Sequence, residues 1–237
     1  ECDESGRSMI PNGGIMVFTY EDGEYQIQQF PVEPKNFEYK MEDKTVHLYY
    51  VRHGETLFNH YNRMQGRSDS PLTAQGIEQV KLSGKALHNI DFAFAYCSSA
   101  ERARDTAAYI LETHDISAIP NRDLREIDFG TYEARVRDSI MDELYERFNP
   151  RVDFSDVGGE SEEQVIERIK RILTLAVARA KDKENVLLVA HGSLYMTMIK
   201  YLFNIYRADL TEQMKAKGKH IMPNGGIAKF TFSQGTY

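Results

Sequence analysis

VHLYYVRHGET, residues 46–56, is the stretch that decides the fold. Its first six residues are mostly apolar or aromatic and have a valine at each end, a composition that favours a short buried strand. The polar residues from Arg52 to Thr56 follow this run directly. The stretch therefore predicts a strand that presents a guanidinium and an imidazole at its carboxyl end.

Outward from this strand, the chain alternates between two kinds of apolar pattern. Short apolar runs predict further strands over 92–97, 186–190 and 227–232. Apolar stripes at spacings of three and four predict helices over 73–87, 101–111, 137–148, 161–181 and 193–203. Strands that alternate with helices predict an α/β fold, in which a mostly parallel central sheet is flanked by helices on both faces in three layers.

A Pro-Asn-Gly-Gly turn occurs twice, at 11–14 and at 223–226, and each copy precedes a strand-like run. The first copy leads through a predicted hairpin turn at Glu21–Glu24. We predict that residues 1–44 are an N-terminal extension with an accessory β-hairpin, derived from the end of a duplicated domain, and that 45–237 are the catalytic domain. The alternative is a coincidence between two similar turns.

Bulk composition narrows the class of protein. The 237 residues are 41% hydrophobic and 27% charged, as in water-soluble globular proteins, and no apolar run is long enough to span a membrane. The two cysteines form neither a disulfide framework nor a metal-binding pair, and the chain opens without a secretory signal, so we expect a cytoplasmic protein without metal. A net charge of -7 argues against nucleic acid as a partner.

Chemically active side chains follow three of the predicted strands. Arg52 and His53 follow the first, Arg102 lies soon after the second, and His191 follows the third. The carboxyl ends of parallel strands meet at one edge of a sheet, where such folds bind their ligands. Two imidazoles and two guanidiniums are therefore predicted to surround one anion.

These blocks resemble the histidine phosphatase (phosphoglycerate mutase-like) superfamily. The similarity extends from Val46 to about Phe232 and includes, in order, RHGET at 52–56 with Asn59, GR at 66–67, DSPLT at 69–73, RA at 102–103, LRE at 124–126, GGES at 158–161 and AHG at 190–192. The family usually has glycine where this chain has Ala134, a departure that bears on the neighbouring Glu133.

The resemblance implies roles for individual residues. His53 would attack phosphorus and carry the phosphoryl group, and Glu126 would give a proton to the leaving oxygen and later activate water. Four further residues would hold the phosphoryl oxygens, with Gly192 allowing close backbone approach: Arg52, Asn59, Arg102 and His191. No cofactor is implied.

Three functions remain open: a phosphatase, a cofactor-dependent phosphoglycerate mutase and a non-catalytic module that binds phosphate esters. The family's mutases carry a longer insertion after the proton-donor block, with a Trp-Arg-Arg motif, whereas residues 134–159 are short and the chain has no tryptophan. A mutase must also exclude water, for which a short cap is poorly suited. We therefore favour the phosphatase, acting on a small phosphorylated substrate.

The substrate's identity and the oligomeric state are left open by the sequence. Four arginines are equally compatible with a pocket rim and with the solvated surface: Arg63, Arg67, Arg135 and Arg137. The edge strands of the sheet offer a route to homo-oligomers.

Overall fold

A computed structural model describes residues 15–21, 24–32, 44–207, 210, 214 and 221–237 of the chain, with backbone only before residue 44. The first Pro-Asn-Gly-Gly turn lies outside the described residues. The chain divides into two compact units, Glu1–Met41 and Glu42–Tyr237. In the first unit, strands β1 (Ile15–Glu21) and β2 (Glu24–Val32) pair antiparallel, and Glu21 lies opposite Glu24. This is the accessory hairpin expected from the sequence, whereas its origin by duplication stays a prediction.

The second unit is built on a five-stranded sheet with the order β5-β4-β6-β3-β7. Its strands are β3 (Val46–Arg52), β4 (Phe92–Ser98), β5 (Ala118–Asn121), β6 (Asn185–Ala190) and β7 (Ile227–Phe232). All neighbours pair parallel except β7, which pairs antiparallel with β3. The mostly parallel sheet is therefore confirmed. The sequence analysis missed β5 because it has only four residues and one of them is a proline.

The helices are α1 (Leu57–His60), α2 (Ala74–Leu87), α3 (Glu101–Ile110), α4 (Met141–Phe148), α5 (Glu162–Arg179) and α6 (Gly192–Phe203). Most begin and end within two residues of the prediction. The helix predicted over 137–148 is instead a 3-10 turn, Arg137–Ile140, followed by α4. The break falls at Ile140, whose φ of -139° is not helical.

Consecutive residues of β3 face opposite sides of the sheet. Val51 belongs to a buried cluster that includes Leu87 of α2 and Ile110 of α3. Tyr50 instead packs against Tyr195 of α6, with ring centroids 5.4 Å apart. Helices therefore cover both faces, which confirms the three-layer α/β arrangement.

Helix α5 shows how the sequence sets a helix boundary. The Ser161 side chain accepts the backbone amide of Gln164, and the Gln164 side chain accepts that of Ser161, which together form a capping box. With 18 residues α5 is the longest helix among the described residues, and its outer face is charged. No described helix combines the length and apolar character needed to cross a bilayer.

Candidate active site

His53 and His191 are brought together by the pairing of β3 with β6. Arg52 lies opposite Ala190 in this parallel pair, and the amide of His53 donates to the Ala190 carbonyl at 3.0 Å. The two imidazoles therefore leave neighbouring strands at the same level, with ring centroids 5.2 Å apart. His53 is 4% exposed and His191 is fully buried.

The contacts of His53 fix its tautomer. Its Nδ1 lies 2.8 Å from the carbonyl oxygen of Gly54, which is only an acceptor, so Nδ1 carries the hydrogen and Nε2 keeps its lone pair. Burial, with the charges of Arg102 and Arg52, holds the pKa of His53 well below 6.5. The imidazole is therefore neutral at pH 7, the form that acts as a nucleophile.

His191 is held by two hydroxyl groups. Tyr50 donates to its backbone carbonyl at 2.7 Å and accepts its amide at 3.0 Å. Its Nε2 lies 2.7 Å from Oγ of Ser98, which also accepts the Ala100 amide at 3.2 Å. If Ser98 then donates its proton to Nε2, Nδ1 carries the hydrogen, and this buried atom has no partner in the described residues. The Nδ1 hydrogen of His191 is thereby left to donate to an anion.

Arg52 lies beside the first turn of α6. One of its terminal nitrogens donates to the Met222 carbonyl at 2.7 Å, while its Nε is buried without a partner among the described residues. Burial lowers the pKa of Arg52 to about 10, so the guanidinium stays charged at neutral pH. A Cβ at Gly192 would lie 3.2 Å from that Nε, so glycine here makes room for Arg52.

Gly54 serves close packing within the fold. A Cβ at this position would lie 2.5 Å from the carbonyl oxygen of Gly76 in α2. Its contact with α2 is by itself enough to require glycine.

Arg102 is fully buried and points at the loop 66–69. It donates to the carbonyls of Gly66 at 2.9 Å and Ser68 at 3.0 Å, and pairs with Asp69 at 2.8 Å. The carboxylate that pairs with Arg102 therefore lies outside α3. Its Nε is buried and, among the described residues, unpartnered.

Glu133 holds the loop that Arg102 contacts. Its carboxylate accepts the amides of Gly66, Arg67 and Ser68 at 2.8–3.1 Å, together with the Ser68 hydroxyl and the Phe129 amide. Ala134, which follows it, has a φ of +62°, in the left-handed region that favours glycine. The backbone at Ala134 therefore has the left-handed conformation that glycine adopts readily. Glu133 holds the loop in place, and the loop in turn binds Arg102.

Glu126 lies at the start of α6 and is 5% exposed. One carboxylate oxygen accepts the amide of Ser193 at 2.9 Å, and the other accepts those of Leu194 at 2.8 Å and Ile127 at 3.0 Å. The Glu126 carboxylate is therefore held by the amides of the first turn of α6, which follow His191 directly in the chain. The predicted proton donor thus contacts the first turn of the helix whose N-cap is the second histidine.

Asn59 closes the turn after His53. Its Oδ1 accepts the amide of Thr56 at 3.3 Å in a capping box and the side-chain amide of Asn224 at 3.1 Å. Its Nδ2 is left as the donor that the predicted phosphate contact requires. The helix that follows His53, α1, starts at Leu57 and has only four residues.

The second Pro-Asn-Gly-Gly turn clamps the strand that carries His53. The Asn224 side chain donates to the His53 carbonyl at 3.1 Å, and the Gly225 amide lies 3.1 Å from the Arg52 carbonyl. Gly225 has a φ of +70°, which explains its identity. The repeat noticed in the sequence was the signal for this contact, although its position in the site was not predicted.

The structure adds two residues that the sequence analysis did not assign to the site, Ser98 and Asn224. It also gives Glu133, which the sequence analysis left in doubt because of Ala134, a supporting contact with the loop at 66–68. In the part of the chain that is described, no group of three or more acidic, histidine or cysteine side chains is arranged to hold a metal ion.

A comparison with protein families decides the identity. Residues 48–235 match the model described as histidine phosphatase superfamily, branch 1. The chain belongs to this superfamily. The resemblance read from the sequence is therefore confirmed, and the chain is an enzyme of a superfamily whose similar members are named phosphatases or phosphoglycerate mutases.

Three relatives show the range of activities named among proteins similar to this chain. It is 36% identical to a probable phosphoglycerate mutase of Klebsiella pneumoniae strain 342 over 151 residues, 62% of this chain and 70% of the relative. It is 29% identical to the adenosylcobalamin/alpha-ribazole phosphatase of Escherichia coli K12 over 164 residues, 68% of this chain and 80% of the relative. The phosphoglycerate mutase structure from Bacillus anthracis strain Sterne superposes with a TM-score of 0.69 at 28% identity, covering 84% of this chain and 93% of that one.

Proposed function

We propose that this histidine phosphatase is a phosphomonoesterase that hydrolyses a small phosphorylated substrate through a phosphohistidine on His53. The observation that carries the proposal is the geometry of His53, whose Nδ1 is tied to the Gly54 carbonyl while its ring faces His191 at 5.2 Å. A neutral imidazole with a fixed lone pair is a competent nucleophile at pH 7.

In the first step, Nε2 of His53 attacks phosphorus and the bond from phosphorus to the alcohol oxygen breaks. Glu126 gives its proton to that oxygen, and the alcohol leaves. In the second step, water attacks phosphorus, Glu126 takes a proton from the water, and the bond from nitrogen to phosphorus breaks. Inorganic phosphate is released and the enzyme is restored.

The phosphoryl oxygens meet three buried nitrogens without partners among the described residues: Nε of Arg52, Nε of Arg102 and Nδ1 of His191. Each lies on a residue with at least one other side-chain nitrogen hydrogen-bonded within the protein, so the donors are held in place before the anion arrives. Losing one such preorganised donor typically lowers the rate by about 10²–10³.

The second candidate is a cofactor-dependent phosphoglycerate mutase, favoured by the names of two of the similar proteins. Against it, residues 134–159 contain little more than a 3-10 turn, the eight-residue α4 and a second 3-10 turn. A mutase must hold the phosphoenzyme away from water until it is returned to the substrate. This short segment favours transfer to water.

The covalent intermediate is tested by trapping. Native protein mixed with a labelled phosphomonoester should give an acid-labile phosphoenzyme, and His53→Ala should give none. His88→Ala is the matched control, because His88 is exposed at the end of α2. Labelling of His53→Ala equal to that of the native protein would refute the mechanism.

Glu126→Gln separates acid catalysis from nucleophilic attack. With an alkyl phosphate, whose leaving group needs a proton, the variant should lose about 10²–10⁴ in kcat. With p-nitrophenyl phosphate, whose leaving group is a good one, the loss should be much smaller. Phosphate release from a panel of monoesters, run beside a mutase assay primed with 2,3-bisphosphoglycerate, decides between the two activities. Mutase turnover far above hydrolysis would overturn the phosphatase.

A further inference from the structure

Glu160 belongs to the Gly-Gly-Glu-Ser block of the sequence, to which the mechanism above assigns no role. Its carboxylate lies between two guanidiniums. One oxygen lies 2.9 Å from Nε of Arg168, and the other lies 3.1 Å from a terminal nitrogen of the same side chain. The first oxygen also lies 3.1 Å from a terminal nitrogen of Arg67. A carboxylate that meets a guanidinium through both oxygens is held in one orientation.

The ion pair of Glu160 and Arg168 is largely removed from solvent. The side chain of Arg168 is 5% exposed and that of Glu160 is 15% exposed. Arg168 lies in the second turn of α5, and Glu160 lies two residues before this helix begins. Removing one partner of such a pair leaves the other charge buried without a counter-ion, so the pair is a fixed point of the fold.

Arg168 holds the chain just before Glu126. One terminal nitrogen of its guanidinium donates to the carbonyl of Asp123 at 2.9 Å and to that of Arg125 at 2.5 Å. The Arg125 carbonyl is part of the peptide group that leads into Glu126. The backbone on the N-terminal side of the predicted proton donor is therefore tied to α5.

Glu160 holds the chain just after Glu126. Its carboxylate accepts the amide of Asp128 at 2.8 Å, and its own amide donates to the Asp128 carbonyl at 2.9 Å. A Cβ at Gly159 would overlap that carbonyl oxygen, so the glycine before Glu160 lets the two segments lie this close. One ion pair therefore holds the chain on both sides of Glu126.

Arg67 connects this ion pair to the loop at 66–69, which binds Arg102. Besides its contact with Glu160, the Nε of Arg67 lies 3.4 Å from the Asp128 carboxylate. The sequence was equally compatible with Arg67 at a pocket rim and on the solvated surface. In the structure its side chain is 26% exposed and pairs with two carboxylates. Glu160 thus joins the segment of the proton donor to the loop that accepts hydrogen bonds from Arg102.

We propose that Glu160 is a positioning residue for proton transfer by Glu126, whose backbone it holds in place relative to Arg102. Arg168 and Arg67 carry this effect to the two segments, and Glu160 itself touches no reacting atom. The amides of α6 fix the carboxylate of Glu126, whereas the ion pair fixes the backbone from which that carboxylate extends. The inference rests on the proposed function, in which Glu126 protonates the leaving alcohol.

The leaving group of the substrate tests the proposal. Glu160→Gln keeps the shape of the side chain and removes its charge, so its contact with Arg168 weakens. The kcat/KM for glycerol 3-phosphate should fall about tenfold or more relative to that for p-nitrophenyl phosphate, whose leaving group needs no proton. Because both substrates are measured on one preparation, their ratio does not depend on the folded fraction of the variant.

Glu162→Gln is the matched control. Glu162 lies two residues after Glu160, is buried, and pairs with Lys200 at 2.7 Å. It accepts the amide of Val152 at 3.1 Å and has no hydrogen bond to the segment of Glu126. This variant should also lose stability, but it should keep the native ratio of the two substrates.

Arg168 provides an independent pair of variants. Arg168→Met should lower the substrate ratio as Glu160→Gln does. Arg168→Lys, which keeps the charge but not the planar fork, should restore part of it. A native ratio in both Glu160→Gln and Arg168→Lys would overturn the proposal, and so would an equal fall of the ratio in Glu162→Gln.

Amide hydrogen exchange separates this inference from the proposed function, because it needs no substrate. The amides of Ser193 and Leu194 donate to the Glu126 carboxylate. They should exchange about tenfold faster in Glu160→Gln than in the native protein, and near the native rate in Glu162→Gln. Unchanged exchange in Glu160→Gln would overturn the positioning role even if the enzyme hydrolyses esters. Faster exchange without any hydrolysis would count against the proposed function alone.

Discussion

A histidine that attacks phosphorus must be neutral and must present one nitrogen, and His53 meets both conditions through its immediate surroundings. The Gly54 carbonyl fixes the hydrogen on Nδ1, and burial removes the water that would stabilise the imidazolium. His191 is kept neutral in the same way, first by burial and then by Arg102. The residue type was evident from the sequence, but the tautomer depends on a distance of 2.8 Å.

The two histidines predict how stability varies with pH. Because their folded pKa values lie well below 6.5, the unfolded chain takes up protons below 6.5 that the folded chain does not. The free energy of unfolding should therefore fall as the pH drops from about 7 to about 5, by up to about 1.4 kcal/mol per pH unit for each histidine.

Urea titrations across this range measure the slope. His53→Gln and His191→Gln should each reduce it by one histidine's share, and the double variant by two. Equal slopes in all four proteins would show that these groups do not titrate differently in the folded and unfolded states.

Ala134 carries a local cost that a single substitution removes. An L-residue at its φ of +62° is strained relative to glycine. Ala134→Gly should raise the free energy of unfolding by about 1 kcal/mol, somewhat offset by the greater freedom of glycine in the unfolded chain. Ala108→Gly, at an exposed position inside α3, is the control in which the same substitution should have the opposite effect. It should lower the free energy of unfolding by about 1 kcal/mol. A loss of stability in Ala134→Gly would contradict the prediction.

At the level of elements, the site depends on turns that fasten strand ends. The turn at 223–226 holds the end of β3. The loop at 66–69 accepts hydrogen bonds from Arg102 and is itself held by the Glu133 carboxylate. None of these turns has a regular hydrophobic period. The sequence pattern therefore shows which residue types they contain but not which residues they contact. The turn signal at 223–226 was evident, whereas its contact with His53 joins residues about 170 positions apart.

Asn224→Ala tests whether the turn positions His53. It removes one hydrogen bond to the His53 carbonyl and one to Asn59, both at 3.1 Å. We expect kcat/KM to fall about tenfold or more, since each bond contributes about 1 kcal/mol. Asn185→Ala is the control, because Asn185 donates to the Asp91 carbonyl at 2.9 Å from the far end of β6.

The control should lose a comparable amount of stability and keep its activity. A positioning role is indicated only if activity falls more in Asn224→Ala than in Asn185→Ala. Equal losses of activity would reduce Asn224 to a structural residue.

For the whole molecule, every predicted site residue belongs to the unit Glu42–Tyr237. Its sheet has parallel strands at its centre and is covered by helices on both faces, so this unit has an apolar core of its own. We predict that deleting residues 1–41 leaves phosphoenzyme formation within about twofold of the full chain, because no group that reacts or binds phosphate is lost. Rapid-quench measurement of the phosphoenzyme checks this.

Urea unfolding of the shortened chain is the accompanying control. A single cooperative transition would show that the unit folds by itself. A shortened chain that folds but no longer forms the phosphoenzyme would contradict the prediction and place a functional group in residues 1–41.

The sequence by itself determined the layers of the fold, the order of the elements and the residue types at the strand ends. These follow from local patterns: the alternation of strand and helix periods places the ends of β3 and β6 at one edge, whatever the loops do. Only the tertiary structure decided which atoms of those residues form hydrogen bonds within the protein and which can bind a ligand. Arg102 illustrates the difference, since it lies two residues from Arg104 on the same helix, yet Arg102 is fully buried and Arg104 is exposed. The burial of Arg102 and its contacts with the loop at 66–69 come from a segment distant in the chain, and such long-range contacts leave no periodic trace in the sequence.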